Sequence, residues 1–347
     1  MTKKGMPKWI WGVLCSLAVA IMVVAWRVYN SGFKLQNTTY LYVDADDNVD
    51  SISQKIESQT APESMRVFHL FAGLLNLKDR IRTGRYEVSP QHTMLNLIRD
   101  IRNHHEKPIM LVVPSTRTMD AMAGKLANQL MLDSASIEQY LKDEGNIKAL
   151  GYTKETLPGL FPNTYEVYWD VSIPKLMERM QKENAAFWNE ERMNKLQEVS
   201  QYAGEEMTKE KVITLASIVD SETADDGEKP TIAALYMNRM RKPMALQSDP
   251  TVIFAVGDFS IRRVLHEHLK VESPYNTYRN LGLPPGPIRV PSIAGIDAVL
   301  NHDKNDYIYM CAKEDFSGTH NYAVSYGEHL RNAARYTKAL NERGIRR

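Results

Sequence analysis

Lys211-Val-Ile-Thr-Leu-Ala-Ser-Ile-Val-Asp-Ser-Glu222 is the stretch of sequence around which the fold is organised. At about 100° per residue it predicts a helix with one apolar arc, formed by Val212, Leu215, Ile218 and Val219. Glu222 falls in the same arc, so a carboxyl group occupies a position suited to leucine. Apolar surroundings disfavour the charged form of a carboxyl group and raise its pKa, which suits a general acid near neutral pH.

The same helix carries a second acid two residues earlier, at Asp220, which points to nearly the opposite side. The pattern therefore predicts one inward acid, Glu222, and one outward acid. The alternative is a helix that ends one turn earlier and leaves Glu222 as a solvated C-terminal residue. Periodicity leaves both open, because it locates a helix end only to within a few residues.

An uncharged run of eighteen residues extends from Trp9 to Trp26, with lysines before it and Arg27 after it. This length is about that of the hydrocarbon core of a bilayer, and tryptophan favours the two membrane interfaces. The run predicts one membrane-spanning helix at residues 9–29. The lysines predict that the tail, residues 1–8, is cytoplasmic and that the rest of the chain is extracytoplasmic.

A cleaved signal peptide is the alternative for this run, since Ala18-Val19-Ala20 resembles a cleavage site. The apolar residues continue through Ala25, however, which favours an uncleaved anchor. Residues 30–38 then form a polar spacer that leaves the membrane.

Composition excludes several classes of protein. The chain has 347 residues, enough for two domains, and 43 basic against 42 acidic residues give a net charge of +1. This balance provides no electrostatic case for nucleic acid as a partner. Cys15 lies inside the apolar run, so Cys311 has no partner outside it and no disulfide framework is expected.

Neither a metal nor a cofactor is expected from the sequence. A lone exported cysteine leaves no thiolate metal site. The pairs His266-Glu-His268 and His104-His105 are too close in sequence to face one site on a helix, and the zincin spacing of two histidines four apart is absent.

The exported part predicts an α+β protein with more than one domain. Residues 39–113 alternate between strand and helix patterns as a small β-α-α-β module without catalytic residues, and residues 114–156 are a helical connector. From residue 157 the chain mixes helices with loops rich in hydroxyls, amides and prolines, at 246–252, 273–278 and 281–288. Such loops usually carry substrate contacts; the alternative is that they only cap and connect helices.

Several motifs in this order resemble those of the MltG (YceG-like) endolytic murein transglycosylases, as does the N-terminal anchor. The motifs are at residues 160–165, 216–223, 236–239, 246–252, 275–278, 282–288 and 318–320. The resemblance implies a LysM-like module within residues 39–113 and a YceG-like catalytic domain at 157–347. It also implies that Glu222 is the single essential acid.

The chain departs from the family pattern at three places. Asp220 stands where the family commonly has a second glutamate, which indicates that this position needs only an acid or none. Asn321 replaces an aromatic residue, and His329-Leu330 replaces a His-Asn pair, so the contribution of the late segment stays open.

The resemblance implies a lytic transglycosylase held in the inner (plasma) membrane. It would cut the bond from N-acetylmuramic acid to N-acetylglucosamine in nascent glycan strands, leave 1,6-anhydro ends and so limit strand length. Glycan strands are then its substrate and peptidoglycan synthases are candidate partners. For substrate binding the polar loops offer Gln247, Ser248, Asp249, Tyr275, Asn276 and Tyr278.

Two other functions stay open at this point. One is a lysozyme-type muramidase, a hydrolase that would use Asp249 or Asp220 as a second carboxylate beside Glu222. The other is a wall-binding or scaffold protein without catalysis, in which the sugar-binding module carries the function.

Overall fold

The computed structural model describes residues 7–160 and 163–343. The predicted cytoplasmic tail therefore lies largely outside the described residues, as do two positions of the 160–165 motif, Phe161 and Pro162. The chain divides into two compact units. Unit 1 is Met1–Met110 with Glu166–Val171, and unit 2 is Leu111–Tyr165 with Ser172–Arg347.

Unit 1 begins with the apolar helix α1, Lys8–Tyr29. The part of this helix from Trp9 to Tyr29 is strongly apolar, with a mean hydropathy of 2.2. Its most apolar residues are not buried against the rest of the protein. Among the described residues it is the one helix long and apolar enough to cross a membrane. The span 9–29 predicted from the sequence agrees with this helix.

The rest of unit 1 contains the predicted order of strand, two helices and strand. Its elements are β1 (Thr39–Val43), α2 (Val49–Thr60), α3 (Met65–Leu74), a 3₁₀ turn (Leu77–Asp79), β2 (Gly84–Val88) and α4 (Met94–Asn103). The two strands pair antiparallel, from Thr39 opposite Val88 to Val43 opposite Gly84. Alternate strand residues such as Leu41 and Tyr86 point into a core that the helices cover, because side chains alternate across a strand.

The strands β3 (Ile109–Val112) and β4 (Thr164–Val167) lie where the chain passes between the units. The predicted end of the first module, at residue 113, lies three residues beyond this division. No sequence pattern predicts that residues 166–171 return to unit 1.

Unit 2 is mainly helical. Its helices are α5 (Met119–Ala127), α6 (Ser134–Lys142), α7 (Glu144–Ala149), α8 (Ile173–Phe187), α9 (Glu190–Ala203), α10 (Lys209–Glu222), α11 (Lys229–Arg241), α12 (Asp249–Val256), α13 (Ile293–Leu300) and α14 (Tyr326–Glu342). Short 3₁₀ turns occur at Leu157–Leu160 and His268–Lys270. The strands β5 (Tyr309–Ala312) and β6 (His320–Ala323) form an antiparallel pair. With unit 1, these elements give a mixed α+β protein, as the sequence predicts.

Helix α10 forms the centre of unit 2. Thr208 caps its start by accepting a hydrogen bond from the backbone N–H of Lys211. Every residue from Val212 to Val219 is buried, so the helix is enclosed on all sides and not along one arc alone. It packs against α13 and α11, whose buried residues are mostly apolar. The helix ends at Glu222, which rules out the alternative of an end one turn earlier.

Candidate active site

Glu222 ends α10 at the edge of a cavity of about 340 Å³. The side chain is half-buried, so its carboxyl group is enclosed by protein and still open to a ligand. Other lining residues come from α11, from the loop before α12 and the first residue of α12, from the loop at 273–278, from β5 and from α14. They are Leu235, Tyr236, Arg239, Leu246, Gln247, Asp249, Tyr278, Tyr309, Met310, Tyr326 and His329. A polar cavity with tyrosine in its walls suits a sugar ligand, which offers both hydroxyl groups and apolar ring faces.

Two hydroxyl groups hold the carboxyl group in place. Tyr236 Oη and Ser248 Oγ each donate a hydrogen bond to Glu222 Oε1 at 2.6 Å. No group in the described part of the chain donates to the other oxygen, Oε2. Because Oε1 already accepts two hydrogen bonds, Oε2 is the oxygen that can carry a proton towards a ligand in the cavity.

The surroundings of Glu222 raise its pKa above that of an ordinary glutamate. Burial is the largest cause, because it disfavours the charged form. The hydrogen bonds from Ser248 and Tyr236 and the nearby His320 oppose this rise, whereas the negative charge of Asp249 adds to it. The site therefore contains a carboxyl group that keeps its proton to higher pH while having donors ready for its ionised form.

Asp220 has a different environment from the one predicted. It is not an outward, solvated acid, since its side chain is 4% exposed and pairs with Lys229 Nζ at 2.7 Å. It also accepts hydrogen bonds from the backbone N–H and the hydroxyl of Ser292, at the start of α13. The closeness of α13 explains the burial, because a Cβ added at Gly295 would lie 2.6 Å from the Asp220 carboxylate. Asp220 thus joins three elements of unit 2 and does not line the cavity.

The loop before α12 positions Ser248 within hydrogen-bonding distance of Glu222. Gln247 has a φ of +53°, a left-handed conformation that is rare for a residue with a side chain. Its backbone N–H donates to the carbonyl of Thr277, and the N–H of Ser248 donates to the Thr277 hydroxyl at 3.0 Å. Arg239 donates to Gln247 Oε1 at 2.5 Å, which turns that amide towards the cavity. The turn is fixed by these bonds at both backbone and side chain.

Among the other predicted binding residues, Asp249 and Tyr278 line the cavity together. Tyr278 Oη donates to Asp249 Oδ1 at 2.6 Å, so the two side chains form one polar wall. Asp249 is therefore a second carboxylate in the same cavity as Glu222.

Tyr275 and Asn276 do not line the cavity. Tyr275 packs against Phe254 with ring centroids 4.7 Å apart, beside the core of unit 2. Asn276 is fully buried, and its amide donates to the backbone carbonyls of Leu269 and Val271. We therefore reassign Asn276 from substrate contact to support of the loop, because a ligand cannot reach a buried amide whose hydrogens are already bound.

The structure adds cavity residues that the sequence argument does not assign. Tyr236 and Arg239 are three residues apart in the 236–239 motif, a spacing that puts both on one face of α11. Tyr309 stacks on His329 with ring centroids 5.2 Å apart, and Tyr326 lies nearby on the same wall. Of the pair His329-Leu330, His329 therefore lines the cavity, whereas Leu330, the residue that departs from the family pattern, does not. No periodic signal could locate these last residues, since they meet only through the fold.

A second polar cluster lies next to Glu222 and is centred on Glu228. Glu228 accepts hydrogen bonds from the His320 backbone N–H at 2.6 Å, from His320 Nδ1 at 3.1 Å and from Tyr322 at 2.9 Å. It also accepts one from Thr223, the residue next to Glu222. These bonds offset the effect of burial and lower the pKa of Glu228, so it stays ionised and orients His320.

The fold and the cavity define a class of protein: an α+β protein whose polar, tyrosine-lined cleft holds a carboxyl group with a raised pKa, Glu222, beside a second carboxyl group, Asp249. Such a site can donate a proton to a ligand and take one back. The profile described as the YceG-like family matches residues 41–335, and the chain belongs to that family.

Relatives of known name support this assignment. A Bacillus subtilis (strain 168) protein named endolytic murein transglycosylase is 34% identical over 196 residues, which cover 55% of this chain and 51% of the relative. A Streptococcus pneumoniae (strain R6) protein of the same name is 26% identical over 327 residues, covering 84% of this chain and 57% of the relative. The chain thus spans little more than half the length of these relatives. The crystal structure of a yceG-like protein from Listeria monocytogenes aligns with a TM-score of 0.57 and 26% identity, over 86% of this chain and 99% of the other.

Proposed function

We propose that the chain is an endolytic lytic transglycosylase of peptidoglycan, in which Glu222 is both general acid and general base. The observation that supports it most directly is the raised pKa of one cleft carboxyl group whose ionised form has two hydroxyl donors in place. The names of the relatives supply the substrate class.

In the first step, protonated Glu222 donates from Oε2 to the oxygen that links N-acetylmuramic acid to N-acetylglucosamine. The bond from muramoyl C1 to that oxygen breaks, and positive charge develops on C1 and the ring oxygen. Glu222 becomes a carboxylate, whose charge on Oε1 is stabilised by Tyr236 and Ser248.

In the second step, the Glu222 carboxylate removes the proton from the muramoyl C6 hydroxyl. That oxygen bonds to C1 and closes the 1,6-anhydro ring, which returns the proton to Glu222. No water is consumed. General acid and base help of this kind contributes about 10²- to 10⁴-fold for each proton transfer.

The remaining rate enhancement requires the sugar to be held and its developing charge to be stabilised. Asp249 is the anionic group of the cavity best suited to face positive charge on the sugar ring, and Tyr278 fixes its orientation. Gln247, held by Arg239, offers an amide to sugar hydroxyl groups. Tyr309 and His329 offer aromatic faces.

Unit 1 and α1 would bring this site to nascent glycan. We assign the β-α-α-β portion to a LysM-like, glycan-binding module and α1 to an anchor with the N-terminus in the cytoplasm, so that unit 2 works outside the plasma membrane. The lysines ahead of α1 support this orientation. Termination of strand growth next to peptidoglycan synthases follows as the biological role.

The position of Asp249 favours one competing function, a muramidase. A hydrolase of that type uses a second carboxylate for a nucleophile or to activate water. Asp220 is excluded from this role by its burial against Lys229, which leaves Asp249 as its candidate.

Mass spectrometry of a glycan digest tests the proposal. The purified full chain, in detergent, is incubated with peptidoglycan strands, and the products are weighed. We expect anhydro ends, with no mass added relative to the substrate. Products heavier by one water, with reducing ends, would establish the muramidase instead, and binding without cleavage would establish a scaffold.

A further inference from the structure

Three side chains of unit 1 converge outside the proposed active site. His104 follows α4, Glu106 is two residues further on, and Asp170 comes from the segment Glu166–Val171 that returns to unit 1. His104 Nε2 lies 3.1 Å from Glu106 Oε1 and 3.4 Å from Asp170 Oδ2. All three ligand atoms lie within 4.8 Å of one another.

The two distances from His104 Nε2 match the dimensions of a tetrahedral metal site. Bonds of about 2.0–2.1 Å from Zn²⁺ to nitrogen and oxygen place neighbouring ligand atoms about 3.3 Å apart. One imidazole and two carboxylates form a donor set that suits zinc, and their two negative charges balance the charge of the ion. A fourth position would stay open to water, since the His104 side chain is 46% exposed.

In the described part of the chain, the two carboxyl groups of the cluster pair with His104 and with no lysine or arginine. The Glu106 side chain is nevertheless 2% exposed and that of Asp170 is 14% exposed. Buried carboxylates are usually paired with a cation or coordinate a metal ion.

The carboxyl groups are held by surrounding groups, as metal ligands usually are. The backbone N–H of Arg85 donates to Glu106 Oε2, which leaves Oε1 facing His104. Thr83 Oγ1 donates to Asp170 Oδ2 at 2.5 Å. Gly84, with a φ of +140°, leaves room for the Glu106 side chain, because a Cβ there would lie 2.8 Å from its Oε2.

We propose that His104, Glu106 and Asp170 bind a divalent transition metal ion, with Zn²⁺ the ion that this donor set favours, and that the ion ties the returning segment 166–171 to the end of α4. The site is separate from Glu222, and the proposal does not depend on the transglycosylase function. Spacing along the sequence, which pairs His104 with His105, could not reveal it, since Asp170 arrives from a distant part of the chain.

Zinc titration of the full chain tests this site. The protein is purified in detergent without a polyhistidine tag, stripped with EDTA and titrated at pH 7.5 against a chromophoric chelator. We expect one Zn²⁺ per chain and a higher unfolding temperature with zinc, because an ion that binds the folded state stabilises it. The variants His104→Gln and Glu106→Gln should each weaken binding by at least about tenfold and lose the zinc-dependent shift.

The matched control is His105→Gln, which removes the neighbouring histidine that faces Asp100 instead. It should bind zinc as the parent does. Circular dichroism without metal verifies that each variant is folded. The proposal is overturned if the parent chain binds no stoichiometric zinc, if His104→Gln and Glu106→Gln bind it as tightly as the parent, or if a hundredfold excess of Mg²⁺ displaces it.

Discussion

Glu222 and Asp220 lie two residues apart on the last turn of α10, and both are enclosed by protein, but the groups that contact them differ in charge. Asp220 contacts the ammonium group of Lys229 and a backbone N–H. Glu222 contacts two neutral hydroxyl groups, and its nearest acidic neighbour in the cavity is Asp249. Burial alone therefore does not make an acid suitable for proton transfer; the charge of its partners decides.

The largest effect is expected from Glu222→Gln. The amide has nearly the same shape but can neither donate a proton to the leaving oxygen nor accept one. Cleavage of glycan strands, measured as release of anhydro products, should fall by about 10³-fold or more. The unfolding temperature should stay close to that of the parent, since the replaced group is neutral when protonated.

Asp220→Asn is the matched comparison for that variant, because it makes the same chemical change two residues away. It should retain anhydro-product release at a temperature where it is folded. If Asp220→Asn abolished cleavage in a folded protein while Glu222→Gln preserved it, the roles assigned to the two acids would be reversed.

The second effect concerns stability. Asp220→Asn leaves Lys229 buried, and among the described residues the exposed Asp226 is then its only charged partner. Loss of one member of a buried ion pair should lower the free energy of unfolding by roughly 3 kcal/mol, because an uncompensated charge stays inside. Chemical denaturation of the full chain in detergent measures this.

The double variant Asp220→Asn, Lys229→Met removes both charges and should recover a large part of that loss. A double variant as unstable as the single one would show that Asp220 acts through its contacts with Ser292 and not through the ion pair.

The features of the two acids and of unit 1 that depend on residue periodicity could be predicted from the sequence. The apolar spacing of Val212, Leu215, Ile218 and Val219 places Glu222 on the same arc of a helix but leaves open where that helix ends. The strand and helix order of unit 1 follows from its strand and helix patterns. The burial of Asp220 could not be predicted, because Lys229 and Ser292 reach it through tertiary packing. The same limit applies to Tyr309 and His329, which line the cavity although no pattern links them to Glu222.

A third effect tests the donors around Glu222. Tyr236→Phe removes the hydrogen bond to Oε1 without changing the ring that fills the core. A hydrogen bond to a charged group contributes about 1.5–3 kcal/mol, so kcat/KM should fall by about 10- to 100-fold. The variant Tyr202→Phe is the control, since that hydroxyl donates to the Asn305 carbonyl away from the cavity. An equal loss of kcat/KM in both variants would refute a specific role for Tyr236.

The smallest effect, and the sharpest test of why Glu222 differs from Asp220, is a change in pH dependence. Glu222 must be protonated to begin the reaction, so kcat/KM should be constant at low pH and fall as pH rises through its raised pKa.

Ser248 lowers that pKa by donating to the ionised form. Ser248→Ala should therefore raise the pKa further, and the alkaline limb of kcat/KM should move to higher pH. At pH values below the limb, the rate should fall by no more than in Tyr236→Phe, because each variant keeps one of the two hydroxyl donors to Oε1. Ser221→Ala is the control, since Ser221 donates to the Ser217 carbonyl and not to Glu222. A limb that moves to lower pH in Ser248→Ala, or by the same amount in both variants, would contradict the assignment of Glu222 as the acid whose ionised form these hydroxyl groups stabilise.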